Sequence, residues 1–254
     1  MPDAAELILE ARRARRALAP LGELTPADPA AGYALQRRVA ERLGAVPPAG
    51  FKIGATTRQM QEYLGLPGPA AGFVPAESLR PDGAAFRLAD FVRPGVECEV
   101  ALRLGRDLPF GPCSRERAAE AVEEVFAAIE VVDNRYGDFR ALGAPTLIAD
   151  QVFHAAGVVA PPPADWRGLD LAALRGELRV DGRAVAAGHG RDLLGHPLEA
   201  LAWLAGSGAA EAFGGLKAGQ VVWLGSVTPA IWLEGPCAVE ADFGPLGLAR
   251  LRFL

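Results

Sequence analysis

Glu97 and Glu99 stand two residues apart in VECEVALRL (96–104), with only Cys98 between them, in a run otherwise apolar enough for a core. Read as a strand, alternate side chains share a face. Glu97, Glu99, Ala101 and Arg103 then point one way, and Cys98, Val100, Leu102 and Leu104 the other. The rise between the two glutamates is about 6.6 Å, so both carboxylates can converge on one object. Like charges that close repel unless a proton or a cation lies between them. Pairing with Arg103 and Arg106, as a charge ladder on an exposed strand face, is the alternative.

A third carboxylate extends the pattern. VFAAIEVVDNRY (125–136) sets Glu130 in a run of Ala, Ile and Val that reads as a buried strand. A lone glutamate there is costly unless it is paired or bound to metal. Its partner is then Arg135, Lys52 or a cation. Three carboxylates suit a hard divalent ion, Mg²⁺ or Mn²⁺, with positions left for water or substrate. No histidine precedes His154, which argues against a histidine-rich zinc site on these strands. Lys52 lies between Phe51 and Ile53. Either it snorkels to the surface, or its amine reaches the carboxylates, balances their charge and hydrogen-bonds a substrate carboxylate or enolate.

These residues need a frame. Residues 3–18 are rich in Ala, Leu and Arg and read as helix. A second helix is expected from Thr25 as N-cap and Pro26 at its first position, with Leu35, Val39 and Leu43 at helical spacing and Gly44 as the stop. Residues 1–50 thus form a helical N-terminal region. From residue 51 to 254 short β-rich runs alternate with glycine and proline. GELRVDGRAVAAG is a hairpin about Asp181-Gly182. QVVWLGSV, AIWLEG and LARLRFL read as strands, the last with Leu248, Leu251 and Phe253 as its apolar positions, and helices interrupt near 114–126 and 196–206. The fold class is α+β with a mixed, mainly antiparallel sheet, and it lacks the βαβ alternation of a doubly wound sheet.

The bulk properties are compatible with this frame. The chain has 254 residues, 50% hydrophobic, and a net charge of -5. The mild acidity argues against nucleic acid as a partner. The one basic cluster, ARRARRA at 11–17, reads as a solvated helix face. No apolar stretch approaches the roughly 20 residues of a membrane span. Three scattered cysteines imply no disulfide framework, so a reducing, cytoplasmic setting is expected.

GFKIGATTRQMQEYLG, then ECEVALRLGRDL, then AIEVVDNRYGDF follow one another in order and spacing, with LGHPLEALAWLA and GQVVWLGSVTPA further on. In these segments the chain resembles the 2-keto-4-pentenoate hydratase family, within the fumarylacetoacetate hydrolase superfamily. The resemblance spans nearly the whole chain. It implies a fumarylacetoacetase-like mixed β-roll, a homo-oligomer, and a divalent metal on Glu97, Glu99 and Glu130. It also implies Lys52 as the active-site lysine, Ile53 beside it, and Ser226 and Thr228 as groups bonding substrate oxygens. The implied reaction adds water to a 2-hydroxydienoate or 2-oxo-enoate in the catabolism of aromatic compounds. Decarboxylation of a related 2-oxo diacid is the alternative, and a non-catalytic oligomeric relative is another. A decarboxylase or aldolase of the same pathway is a candidate partner.

Several positions depart from the family pattern. GFVPAES puts Glu77 where the family commonly has an acid/base aspartate. IADQVFHAAG puts Gln151 for an asparagine, and bulky Phe153 and His154 where small residues are usual, which predicts a reshaped pocket. His154, beside apolar residues, reads as structural. GHGRDLLG lacks the ending of a phosphate loop, and His189 and His196 carry no assigned chemistry. Trp223 and Trp232 read as core or interface aromatics, with Trp232 also a candidate for the pocket wall.

Overall fold

A computed structural model describes residues 3–163 and 165–254. Among the described residues thirteen strands form two sheets: β1 (Gly50–Gly54), β2 (Ala70–Val74), β3 (Leu79–Arg80), β4 (Ala84–Phe86), β5 (Pro94–Leu104), β6 (Val122–Asp133), β7 (His154–Val159), β8 (Arg175–Val180), β9 (Arg183–His189), β10 (Val221–Ser226), β11 (Ile231–Trp232), β12 (Cys237–Asp242) and β13 (Leu248–Phe253). The larger sheet runs β2-β1-β10-β5-β6-β7-β3, with β11 paired to β5; the smaller runs β4-β13-β12-β8-β9. Pairings are antiparallel except β1 with β10, β3 with β7, and β4 with β13. This is the mixed, mainly antiparallel arrangement expected.

The larger sheet curls. Trp223 on β10 and Gly157 on β7 lie three strands apart, about 14 Å on a flat sheet. Yet a Cβ on Gly157 would come within 2.2 Å of the Trp223 ring. Trp223 therefore crosses the inside of the roll, and only glycine fits where it lands. It packs there with Val74, Ala101, Phe126, Ala128 and Val221. Cys98, Val100, Leu102 and Leu104 face outward into the main core, as strand alternation predicts. The smaller sheet packs against that outer face of β5 and β6.

Two N-terminal helices share the main core, the second covering the β2 edge and the first packing on the second. The first, α1 (Ala4–Arg13), is shorter than expected: Ala14 caps it and Arg15 turns to φ 50. The second, α2 (Pro29–Arg42), starts at Asp28, whose carboxylate accepts from Ala31 N, and not at Thr25. A helix begun at Pro26 would put Pro29 where a backbone N–H must donate. From α2, Gln36 donates to the Ala71 and Ile148 carbonyls and accepts from Phe73 N. With Tyr33 OH, which accepts from Ala71 N, this buried amide satisfies much of the open edge of β2. The helix expected over 114–126 is only Arg115–Ala121; from Val122 the chain is already strand, because its β-branched and aromatic residues pair with β5.

Candidate active site

Four strands bring the charged residues together on the inner face of the roll. In β1 Phe51 and Ile53 turn into the core, and Lys52, between them, turns inward. Glu97 and Glu99 point to the same side from β5, and Glu130 on β6 lies directly opposite Glu97. Strand β10 runs between β1 and β5 and bulges near Gly225, whose φ of 109 aims its N–H at Glu99 Oε2, 3.0 Å away. One oxygen from each of the three glutamates lies within 4.8 Å of the others. Lys52 Nζ stands 3.3 Å from Glu130 Oε1. Arg103 pairs instead with Glu124, outside the cluster.

The electrostatics are those of a site short of positive charge. Burial, then the Glu130 charge, pushes the Glu97 carboxyl up to about 8, with Lys52 opposing. Burial, followed by Glu130 and Glu97, holds Glu99 well above the usual carboxylate range. Burial also opposes ionisation of Glu130, but Lys52 and then His154 outweigh it and hold that carboxyl low. Glu99 Oε1 and Glu130 Oε2 are buried with no hydrogen-bond partner. A buried acceptor left open costs about 1–3 kcal/mol, more when charged. Converging oxygens, two of them orphaned, fit a hard divalent cation, with Glu97 on the cavity side of the cluster.

Two arms of a cavity meet at Glu97. The polar arm, about 380 Å³, is bordered by Thr56, Asp192, Ser226 and Thr228, and by Ile53, whose side chain stays in the core. Ser226 Oγ donates to the Thr228 carbonyl (2.7 Å), and Cys98 N donates to Thr228 Oγ1 (3.3 Å). The apolar arm, about 270 Å³, is walled by Met60, Tyr63, Val152, Phe153 and Trp232. Phe153 packs edge-on against Tyr136 at 4.8 Å.

Two expected site residues lie elsewhere. The tight turn Ala76–Ser78 after Pro75 carries Glu77 out to solvent, beside a separate cleft near Arg12 and Arg80, and turns Ser78 inward instead. Gln151 is buried on the far side of its turn, its amide donating to the Phe73 carbonyl at 2.5 Å. It supports the chain and does not reach the cavity.

The residues that sequence reasoning missed build the support. His154 Nδ1 lies 2.8 Å from Glu130 Oε1, and its Nε2 lies 3.1 Å from Ser78 Oγ. A carboxylate only accepts, so the Nδ1 proton faces Glu130, while the single Ser78 hydroxyl proton has two acceptors in reach, Nε2 and the Pro75 carbonyl at 2.9 Å. Burial lowers the His154 pKa although Glu130 opposes this, favouring the neutral ring. His154 thus fixes one oxygen of Glu130. Next to it, Gln151, Val152 and Phe153 take φ values of 62, 48 and 69. Left-handed non-glycine residues cost of order 1–3 kcal/mol each and persist only when their surroundings dictate them. Here Asp150 accepts from Arg12 Nε (2.6 Å), Arg135 Nε (3.1 Å) and Tyr136 OH (2.8 Å), while Arg135 also donates to the His154 and Asp150 carbonyls. This clamp turns Val152 and Phe153 into the apolar arm. Arg12, expected on a solvated face, is one of its members. The one advance sign was Asp150, an ionisable residue inside the largely apolar run 147–153.

Residues 49–253 match the family model described as fumarylacetoacetate (FAA) hydrolase C-terminal. Among curated relatives, the 2-keto-4-pentenoate hydratase of Burkholderia vietnamiensis (strain G4 / LMG 22486) is 33% identical over 96% of this chain and 94% of its own. The 2-hydroxyhexa-2,4-dienoate hydratase of Comamonas testosteroni is 33% identical over 97% of this chain and 94% of its own. Among solved structures, the 4-oxalocrotonate decarboxylase from Pseudomonas putida G7, complexed with magnesium and adipate, superposes with a TM-score of 0.89 at 25% identity, covering 98% of this chain and 95% of that one.

Proposed function

We propose, for a chain that belongs to the fumarylacetoacetate hydrolase family and within it to the 2-keto-4-pentenoate hydratases, the reaction of a metal-dependent hydro-lyase. The substrate is a 2-hydroxydienoate or its 2-oxo-enoate tautomer. A proton adds at C5, giving the 2-oxo-3-enoate; water then delivers its oxygen to C4 and a proton to C3, and the product is a 4-hydroxy-2-oxo acid. The observation that carries this reading is the cluster of Glu97, Glu99 and Glu130 beside Lys52, opening onto a cavity with one polar and one apolar arm.

Glu97, Glu99 and Glu130 would hold the ion, and Mg²⁺ or Mn²⁺ suits their all-oxygen set. When bound, it supplies Lewis-acid stabilisation of negative charge on the 2-oxygen. The chain's own groups do the rest. Lys52 presents a fixed cation and N–H donors where the substrate's charged end lies, so charge growing there meets a dipole already in place. Ser226 and Thr228 border the polar arm, where water enters. Val152, Phe153 and Trp232 keep the opposite arm dry. His154 holds Glu130 in one orientation through Nδ1.

The same reading makes the protein a cytoplasmic homo-oligomer in aromatic catabolism, working beside a decarboxylase or aldolase of its pathway. No helix among the described residues is long and apolar enough to cross a membrane, and its three cysteines are free, which suits a reducing compartment. Decarboxylation of a 2-oxo diacid is the second reading, favoured by the likeness to the magnesium-bound decarboxylase. The test is ultraviolet assay of purified protein with Mg²⁺ or Mn²⁺ on 2-hydroxypenta-2,4-dienoate and on a 2-oxo diacid. Loss of diene absorbance with a 4-hydroxy-2-oxo product, absent in Glu99→Gln, is expected. CO₂ release from the diacid without dienoate hydration would replace the first reading by the second.

A further inference from the structure

The apolar arm starts at Lys52 and Glu97 and runs away from the carboxylates. Apart from those two residues, the only ionisable side chain that lines it among the described residues is Tyr63. Its walls are built in. Trp232 lies flat on β5 because residue 95 is glycine: a Cβ there would come within 2.8 Å of the ring. Gly54 leaves room between Lys52 Nζ and Val152, which a Cβ would approach to 3.4 and 3.3 Å. The clamped turn at Asp150 presents Val152 and Phe153. Met60 and Tyr63 form the mouth and remain exposed, apolar surface that a ligand would cover. Two guanidiniums stack on these aromatics and do not line the arm: Arg93 over Trp232 at 5.3 Å, Arg140 over Tyr63 at 5.7 Å.

We infer that this arm takes an uncharged, apolar tail of the substrate, so that the enzyme acts on 2-hydroxydienoates ending in an alkyl or aryl group and not on 2-oxo diacids. The inference rests on the hydro-lyase reading for its reaction, and on the arm alone for the tail. A second carboxylate at the far end of this arm would lose water and meet no lining cation there, since Lys52 lies at the near end beside Glu97. An alkyl or aryl tail would bury itself against Met60, Phe153 and Trp232.

Binding separates the two parts. Calorimetry on the Mg²⁺-loaded protein compares pyruvate, 2-oxohexanoate and 2-oxoadipate, the last two differing only in a terminal methyl against a carboxylate. We expect 2-oxohexanoate to bind at least about 10-fold tighter than pyruvate, the size expected from burying two or more methylenes, and 2-oxoadipate to bind no tighter than pyruvate. Met60→Arg, at an exposed position on the mouth, should raise 2-oxoadipate relative to 2-oxohexanoate by about 10-fold. Wild-type preference for 2-oxoadipate, or an unchanged ratio in Met60→Arg, overturns the inference. Turnover of 2-hydroxypenta-2,4-dienoate and its 5-alkyl, 5-phenyl and 5-carboxylate derivatives then tests the reaction. If none is hydrated while the binding order holds, the hydro-lyase reading fails and the tail assignment stands.

Discussion

The glutamate cluster and the Asp150 cluster are both buried, lie on either side of one strained turn, and differ in what they leave open. At Asp150 one carboxylate meets two guanidiniums and a phenol, and both of its oxygens accept hydrogen bonds. At Glu97, Glu99 and Glu130 three carboxylates meet one lysine and one histidine, and two buried oxygens accept nothing. A cluster whose carboxylate is fully hydrogen-bonded and matched by cations is built to hold a shape. One that is short of positive charge is built to receive something, because an uncompensated buried charge is too costly to keep otherwise.

The sharpest contrast comes from removing one charge in each region. Asp150→Asn leaves Arg12 and Arg135 facing each other without their counter-ion. It should cost about 3–5 kcal/mol of unfolding free energy in urea melts; a loss below 1 kcal/mol would erase the distinction between the regions. The pH response follows. Burial opposes ionisation of Asp150, but Arg12 and Arg135 outweigh it and hold its pKa below the ordinary 3.8. A group with a lowered folded pKa binds fewer protons folded than unfolded, so its contribution is full above about pH 3.8 and is lost as pH falls through the folded value. Acid titration of the wild type should show that loss, and Asp150→Asn should lack it.

Next in size is Lys52→Met. It removes one preorganised donor and should lower kcat/KM by roughly 10², while cation binding persists because all three carboxylates remain. Near-normal turnover would return Lys52 to a structural ion pair with Glu130. Smallest is Ser78→Ala, which takes from His154 the hydrogen bond on its far nitrogen. Stability should fall by about 0.5–1.5 kcal/mol in thermal melts, with turnover changed only a few-fold. A collapse of activity would mean that His154 does more than orient Glu130.

Much of this was legible in the chain. The E-x-E spacing and the apolar run around Glu130 announced the inner-face cluster, because strand alternation is local and burial cost is general. Asp181-Gly182 announced its hairpin for the same local reason. The helix starts were displaced where two Pro signals competed and only Asp28-Pro29 left the following N–H groups free to bond. Glu77 and Gln151 were misplaced because a one-residue turn decides which side chain faces inward, and their motif position alone does not carry that. His154 and Asp150 acquire their roles from partners 24 and 138 residues away in sequence, which no local pattern encodes.

The glutamate cluster is short of a cation. Titration of Mn²⁺ into chelator-treated wild type and Glu99→Gln, followed by calorimetry and the manganese resonance signal, tests it directly. One tight ion per chain is expected in the wild type, with a rise in Tm on binding. In Glu99→Gln the affinity should be weaker by at least about 10²-fold, more than the loss of an outer hydrogen bond to a ligand causes, with the metal-free Tm no lower than in the wild type. Equal Mn²⁺ affinity in the two proteins, or none in the wild type, would contradict that shortage.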